Sequence, residues 1–340
     1  MHFMQKNLHH FDKVYREDSP VITPHLLDVD TFSQQDFELT FSIANRMKKI
    51  YTVGPKKSSL LKGITIATLF YEPSTRTRIS FEAAGKMLSA DVINLSVDNS
   101  STRKGESFYD TMLTLQSNNI DLLVIRHNHS GAPYMAAKHL EKTLVINAGD
   151  GSHAHPTQAL ADMFTLAQHM KSLKDKKVLI VGDVAHSRVA RSNLLALCTL
   201  GAKPIISGPP NLIPWDLFGK QYRVDSNPFN KVSIMPDLDQ AIIDADVVMT
   251  LRLQSERHSK GLLPSLREYA NLWQVTTDRL AKASTNVLLM HPGPMNIGVE
   301  ISPEVAYSTN SVVQEQVSNS IAIRMAILLL MTNKGRDVNE

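Results

Sequence analysis

Five consecutive residues, Ser74-Thr75-Arg76-Thr77-Arg78, supply three hydroxyls and two guanidiniums. Hydroxyls donate single hydrogen bonds to an anion, and guanidiniums donate planar pairs of them. Such a run points to an anion cradle, with phosphate as the favoured occupant. Taken alone, the same residues would equally serve as a capped helix start with solvated arginines. Their flanks favour the cradle. Ile64-Thr65-Ile66-Ala67-Thr68-Leu69 reads as a buried strand, and Ile79, Phe81, Ala84, Met87 and Leu88 fall near helical spacing. Pro73 breaks the chain between the two, and Ser74 and Thr75 are N-cap candidates. A strand, a tight turn and a helix start bring free backbone N–H groups and the positive dipole end to one place.

Other predicted strands end on related chemistry. Leu122–Ile125 delivers Arg126, and Leu144-Val145-Ile146 leads into a loop carrying His155 and Gln158. Val178–Val181 leads through Gly182 to Arg188, Asp246–Leu251 delivers Arg252 and Gln254, and Val287–Met290 delivers His291-Pro292-Gly293-Pro294. Ligands of open α/β sheets bind at the carboxyl ends of the strands. Those ends are rich in cations and donors and poor in carboxylates. They carry no Ser-His-Asp or Cys-His arrangement and no paired acids for glycoside chemistry. The set suits a small, multiply anionic substrate, with catalysis by positioning and by stabilising developing negative charge. Any one of these arginines, or His155 alone, could be structural; their repetition at corresponding positions favours a site. His127 with His129 and His153 with His155 make two H-x-H pairs. That spacing is not the helical i, i+4 ligand pattern and no cysteine accompanies it, so no metal is expected.

The elements that must position these residues alternate strand and helix. A helix with Phe37, Phe41, Ala44 and Met47 on one face precedes the first strand, and Val92–Leu95 makes the second. Further helices run through Met112 and Leu115, through Tyr134, Ala137 and Leu140, and from Pro156 through Leu166. The charged stretch Lys171–Lys177 reads as a boundary because strand–helix units restart after it, with a helix through Val189, Leu194 and Leu197. The terminal segment has helical spacing at Val313, Val317, Ile321, Met325 and Leu328 and is long enough to return across the first domain. The expected fold is α/β: two doubly wound domains, each a mainly parallel sheet flanked by helices, joined by linker helices. The expected division is residues 1–168 plus 311–340 against residues 169–310, with residues 1–20 a loosely held arm.

With 340 residues, two domains are the natural prior, and 43% hydrophobic with 20% charged residues is ordinary globular composition. A net charge of +3 without a Lys/Arg run argues against nucleic-acid binding. The single cysteine, Cys198, reads as a buried small hydrophobe and fits a reducing cytoplasm. Met1–Lys6 lacks a signal-peptide core, and Ile327–Met331 is too short to span a bilayer, so a soluble cytoplasmic protein with no membrane contact is expected. Only Gly182 stands where a dinucleotide fold needs three glycines, and G-x-x-x-x-G-K-[ST] is missing. Nicotinamide and flavin binding are therefore disfavoured.

Together with Lys104-Gly105-Glu106, Arg126-His127, His155-Pro156-Thr157-Gln158 and His186–Ser192, the Ser74–Arg78 run resembles the signatures of the transcarbamoylase family. Arg252-Leu253-Gln254-Ser255-Glu256-Arg257 and His291–Pro294 resemble its aspartate carbamoyltransferase branch, and the likeness spans about residues 25–332. The resemblance implies a cofactor-free transferase moving the carbamoyl group of carbamoyl phosphate to the amine of L-aspartate, in de novo pyrimidine biosynthesis. It implies that Ser74, Thr75, Arg76 and Thr77 hold the phosphate. It implies that Thr77, Arg126 and His155 polarise the carbonyl, and that Gln158 with the carbonyls of Pro292 and Gly293 accept from the carbamoyl amide. Arg188, Arg252 and Gln254 would hold the aspartate carboxylates. Ser100 and Lys104 resemble loop residues lent across a subunit boundary, Lys104 reaching both substrates, which implies a homotrimer with shared active sites. Regulatory or dihydroorotase-like partner chains are left open.

One departure concerns Ile297, which stands in Met295-Asn296-Ile297-Gly298 where many family members have arginine. Two rivals follow. An ornithine carbamoyltransferase would present Cys in its His-Cys-x-Pro loop, whereas this chain has His291-Pro292-Gly293-Pro294 and an Arg252 suited to an anion. A non-catalytic homologue that stabilises a partner enzyme is the other.

Overall fold

The computed structural model describes residues 24–96, 106–218, 227–254 and 265–336. Among these residues the strands form two parallel sheets. The first contains β1 (Thr65–Phe70), β2 (Asp91–Ser96), β3 (Leu122–His127) and β4 (Leu144–Asp150), in the order β2-β1-β3-β4. The second contains β5 (Lys177–Val181), β6 (Lys203–Ser207), β7 (Ser233–Ile234), β8 (Val247–Thr250) and β9 (Leu288–Met290), in the order β7-β6-β5-β8-β9. Every strand-to-strand pairing among the described residues is parallel. Helices cover both faces of such sheets, so the strands are continuous apolar runs rather than alternations. β5 and β8 are buried almost end to end. In each sheet the strand order reverses once, between β1 and β3 and between β5 and β8. A crevice opens outside the carboxyl ends at such a point.

The helices that matter for the site are α1 (Gln34–Thr52), α2 (Thr75–Met87), α3 (Phe108–Ser117), α4 (Ala132–His139), α5 (Pro156–His169), α6 (Arg188–Thr199), α7 (Leu266–Trp273) and α8 (Val313–Arg336). α1 starts at a capping box in which Ser33 and Asp36 satisfy each other's backbone N–H groups, and it buries Phe37, Ala44 and Met47 as expected. Residues 322–332 of α8 are buried without a break. This helix therefore runs through the core, packed on α1, α2 and α5, rather than lying on a surface. Tyr51 Oη donates to Ser318 O at 3.1 Å, and the Arg324 guanidinium stacks 5.0 Å from the Phe81 ring centre. One apolar cluster runs from Ile66 and Val124 of the first sheet, through Leu160 and Phe164 of α5, to Ile180 and Met249 of the second.

Three predicted faces need correction. Ile79, Tyr134 and Val317 are 58%, 38% and 42% exposed, although each sat on an expected apolar face. α2 buries Phe81 and Ala84 as expected, together with Thr77 and Ser80, and α4 buries Pro133 and Ala136. The spacing located each helix without fixing every residue that faces inward. Arg78 packs over the Phe70 ring at 5.6 Å, which gives it a structural place beside the cradle.

Candidate active site

A helix begins where the sequence places one, directly after the Ser74 N-cap. Ser74 is the N-cap of α2, yet its hydroxyl makes no bond to its own helix, so the side chain is not consumed by capping. Thr77 is buried, whereas Thr75 and Arg76 are exposed. Arg76 leaves the first turn of α2 and lies against Gly293, beyond β9 of the other sheet. A Cβ on Gly293 would fall 2.8 Å from Arg76 Cζ, the far end of an exposed side chain, and the residue holds φ +70°, which favours glycine. His291 fixes that loop, accepting from Gly293 N on Nδ1 at 2.8 Å while Nε2 meets Glu300 Oε1 at 3.2 Å.

Arg126 ends β3 and Arg188 begins α6, and a single carboxylate joins them. Glu72 Oε1 accepts from Arg126 Nη2 at 2.7 Å and from Arg188 Nη2 at 2.6 Å, while Glu72 Oε2 accepts from Arg188 Nη1 at 2.9 Å. Arg188 Nη1 also donates to Gly151 O at 3.1 Å. Burial alone would raise the Glu72 carboxyl, but the Arg188 hydrogen bond and the two guanidinium charges outweigh it and hold the pKa at about 2. Gly149, at φ +115°, lets both guanidiniums close over the backbone; a Cβ there would sit 3.0 Å from Arg188 Nε and 3.3 Å from Arg126 Nη1.

His155 is the N-cap of α5 and is 4% exposed. Its backbone N–H donates to Ser192 Oγ at 3.0 Å, and Ser192 Oγ donates in turn to Asp28 Oδ1 at 2.8 Å. Nδ1 is buried without a protein partner. Burial, and then the charges of Arg126, Arg188 and Arg324, push its pKa well below 6.5. The ring is therefore a neutral imidazole at pH 7, able to donate one hydrogen bond without giving up a proton. Burial pushes the neighbouring Asp28 carboxyl up to about 6, against hydrogen bonds from Val29 and Ser192.

Beyond β8 the chain alternates, burying Leu251 and Leu253 and turning the half-buried Arg252 and Gln254 the other way. β8 pairs with β5, so Arg252, Gln254 and Arg188 leave adjacent strands at the same end of the sheet. Gln158 sits in the first turn of α5 and donates from Nε2 to Asp162 Oδ1 at 2.8 Å. Ser100, Lys104, Ser255, Glu256 and Arg257 lie outside the described residues, as does the arm at 1–20. His153 Nδ1 meets Asp150 Oδ2 at 3.2 Å, and His127 Nδ1 accepts from His129 N at 2.9 Å with the two rings 5.3 Å apart.

Sequence reasoning missed Glu72 and Asp162. A signal existed for each. An acid directly before a phosphate cradle would repel the phosphate unless cations held it elsewhere. Asp162 stands inside an otherwise apolar stretch of α5, one turn after Gln158.

Two parallel sheets joined at their carboxyl ends by guanidiniums, with a neutral imidazole between them, define a two-domain α/β protein suited to multiply anionic small molecules. The chain belongs to the aspartate/ornithine carbamoyltransferase family: the model of that family's carbamoyl-phosphate-binding domain matches residues 24–168, and the model of its Asp/Orn-binding domain matches residues 174–331. The aspartate carbamoyltransferase catalytic subunit of Roseiflexus sp. (strain RS-1) is 50% identical over 91% of this chain and 95% of that protein. The one from Endomicrobium trichonymphae is 47% identical over 92% and 97%. Among solved structures, aspartate transcarbamoylase from Trypanosoma cruzi in complex with carbamoyl phosphate and aspartate matches with a TM-score of 0.79 at 29% identity, covering 90% of this chain and 95% of that one. Ornithine carbamoyltransferase from Pyrococcus furiosus matches with a TM-score of 0.76 at 28% identity, covering 89% and 95%. The fold alone does not separate aspartate from ornithine members.

Proposed function

We infer that this chain is an aspartate carbamoyltransferase, forming N-carbamoyl-L-aspartate and phosphate from carbamoyl phosphate and L-aspartate in pyrimidine biosynthesis. The observation that carries the reading is the meeting of Arg126 and Arg188 over Gly149, beside a buried neutral His155 and across from Arg76 at Gly293. Cations from both sheets converge there, as a reaction between two anions requires. The near-50% identity to proteins named aspartate carbamoyltransferase supports the choice of amino acid.

In this reading the N-terminus of α2, with Ser74, Thr75, Arg76 and Thr77, holds the phosphate. Its N–H groups and dipole favour the charge, and Arg76 adds a planar pair of donors. Thr77, Arg126 and His155 donate to the carbamoyl oxygen and strengthen as it becomes an oxyanion. Gln158 and the carbonyls of Pro292 and Gly293 accept from the carbamoyl –NH2. Arg188, Arg252, Gln254 and Lys104 receive the aspartate carboxylates. The deprotonated amine attacks the carbamoyl carbon, a C–N bond forms, the C–O bond to phosphate breaks, and one amine proton is lost. Each oxyanion donor lowers the barrier by roughly 3 kcal/mol.

We further propose a cytoplasmic homotrimer in which Ser100 and Lys104 enter a neighbouring subunit's site, with room for regulatory or dihydroorotase-like partners. Family resemblance alone supports these points. The proposed division is 1–168 plus 311–340 against 169–310, supported by the packing of α8 on α1, α2 and α5. Product assays with L-aspartate and L-ornithine test the central reading. Carbamoyl-aspartate alone is expected, with turnover largely lost in Arg76→Ala and His155→Ala. Carbamoyl-ornithine, no product, or near-normal variants would overturn it.

A further inference from the structure

Asp162 is wholly buried among hydrogen-bond donors contributed by three helices. Its Oδ1 accepts from Gln158 Nε2 of α5 and from Gln316 Nε2 of α8, both at 2.8 Å, and its Oδ2 accepts from Asn193 Nδ2 of α6 at 3.0 Å. Gln316 uses its other end as well: Oε1 accepts the backbone N–H of His291 at 3.0 Å. That N–H opens the loop bearing Pro292 and Gly293. One carboxylate therefore fixes both the Gln158 amide and, through Gln316, the strand end from which the two loop carbonyls project.

An amide has one donor end and one acceptor end. With Nε2 of Gln158 committed to Asp162, Oε1 is the end left to face the site. We propose that Asp162 is the positioning residue that makes the carbamoyl-amide subsite all-acceptor, aiming Gln158 Oε1 and steadying the Pro292 and Gly293 carbonyls so that a substrate –NH2 is selected over a methyl group. The inference rests on the carbamoyl-phosphate reading above.

Three donors and no acceptor surround Asp162, so the ionised form is the one the network fits. Burial pushes its carboxyl up to about 6, opposed by the three amides and by the charge of Arg324. Arg324 is itself 2% exposed, and burial pushes its guanidinium down to about 9 against the pull of Asp162. Neutral isosteres of the carbamoyl group would leave the oriented acceptors desolvated and unpaired. A site built to bond an N–H rejects the analogue lacking it far more strongly than an apolar pocket rejects one methylene.

The test compares carbamoyl phosphate with acetyl phosphate, which carries CH3 in place of NH2, using L-aspartate as acceptor and the full-length protein. Asp162→Ala is expected to lower kcat/KM for carbamoyl phosphate by roughly 100-fold and to change that for acetyl phosphate by less than about 3-fold, so the preference collapses. Asp162→Asn keeps an Oδ1 acceptor, and Asn193 can turn its unpartnered Oδ1 toward the new amide, so it should recover most of the preference. Gln316→Met leaves the Asp162–Gln158 bond in place and should lose a smaller part; it carries the test if Asp162→Ala does not fold. Equal losses with both phosphates in Asp162→Ala, or a wild-type preference in Gln316→Met, would overturn the inference. A wild-type enzyme that forms no carbamoyl-aspartate removes the functional reading and this inference together. A wild-type enzyme that forms it, with variants keeping its preference, removes this inference alone.

Discussion

Glu72 and Arg188 form a two-point ion pair between the sheets, with Nη2–Oε1 at 2.6 Å and Nη1–Oε2 at 2.9 Å. Glu72 follows β1 and Arg188 opens α6, so this pair and the Glu72–Arg126 bond link the two halves through one carboxylate. The drop of the Glu72 pKa from 4.5 to about 2 corresponds to about 3 kcal/mol of folded-state stabilisation. A depressed carboxylate contributes fully above its unfolded pKa. The contribution is lost as pH falls from about 4.5 toward 2. Glu72→Gln should therefore cost about 2–3 kcal/mol at pH 7 in urea unfolding, and the gap to wild type should close near pH 2. A gap that stays constant with pH would contradict this account.

The imidazole of His155 should titrate well below 6.5, because burial and three guanidiniums oppose its charge. Histidine-labelled NMR is expected to find it neutral at pH 6.5. A depressed histidine contributes stability above its unfolded pKa, lost as pH falls through the folded one. Any activity lost between pH 8 and 6.5 should therefore follow the substrate amine, and it should persist in His155→Gln at a lower rate.

Gly293→Ala places a methyl group in the Arg76 guanidinium at a positive φ. Backbone strain should cost about 1–2 kcal/mol of stability. The larger effect should be on catalysis: displacing Arg76 should raise KM for carbamoyl phosphate by at least roughly tenfold. Thermal unfolding and steady-state kinetics on the same preparation separate the two.

Ile297 is 39% exposed on the loop after Pro294. Ile297→Arg should change stability by no more than about 0.5 kcal/mol, as surface substitutions do. If a cation there supports the aspartate side, KM for aspartate should fall while KM for carbamoyl phosphate stays put. An unchanged KM for aspartate would make the position neutral.

Cys198 is 7% exposed and burial pushes its thiol up to about 11. The thiolate is the reactive form. Native protein should resist a thiol reagent at pH 8, and the same protein in denaturant should react at once.

The strands around the site were legible because parallel strands covered on both faces leave uninterrupted apolar runs, as at Val178–Val181 and Leu122–Ile125. Arg126 and Arg252 were legible because each sits at the end of such a run, and Arg76 and Arg188 because each stands at the helix start that follows one. Helix faces were less so. Ile79 carries the right spacing but faces outward, while Ser80, Phe81 and Ala84 of the same helix are buried where α2 packs on α8. Asp162 and Glu72 were hidden for a different reason: their work is done on residues far away in sequence, Gln316 and Arg188, and no local pattern reports such a partnership. Family resemblance supplied most of the role assignments, whereas the spacing of residues supplied the chemistry they share.

The placement of α8 bears on how the chain is made. The helix is synthesised after every other described element, yet its buried turns complete the core formed by α1, α2 and α5. At ribosomal speeds, everything between α5 and α8 takes on the order of ten seconds to emerge. For that interval the first sheet has its strands but lacks the helix on which α1, α2 and α5 pack. A premature stop near Leu328 would therefore damage the earliest-made half of the molecule and spare the later one.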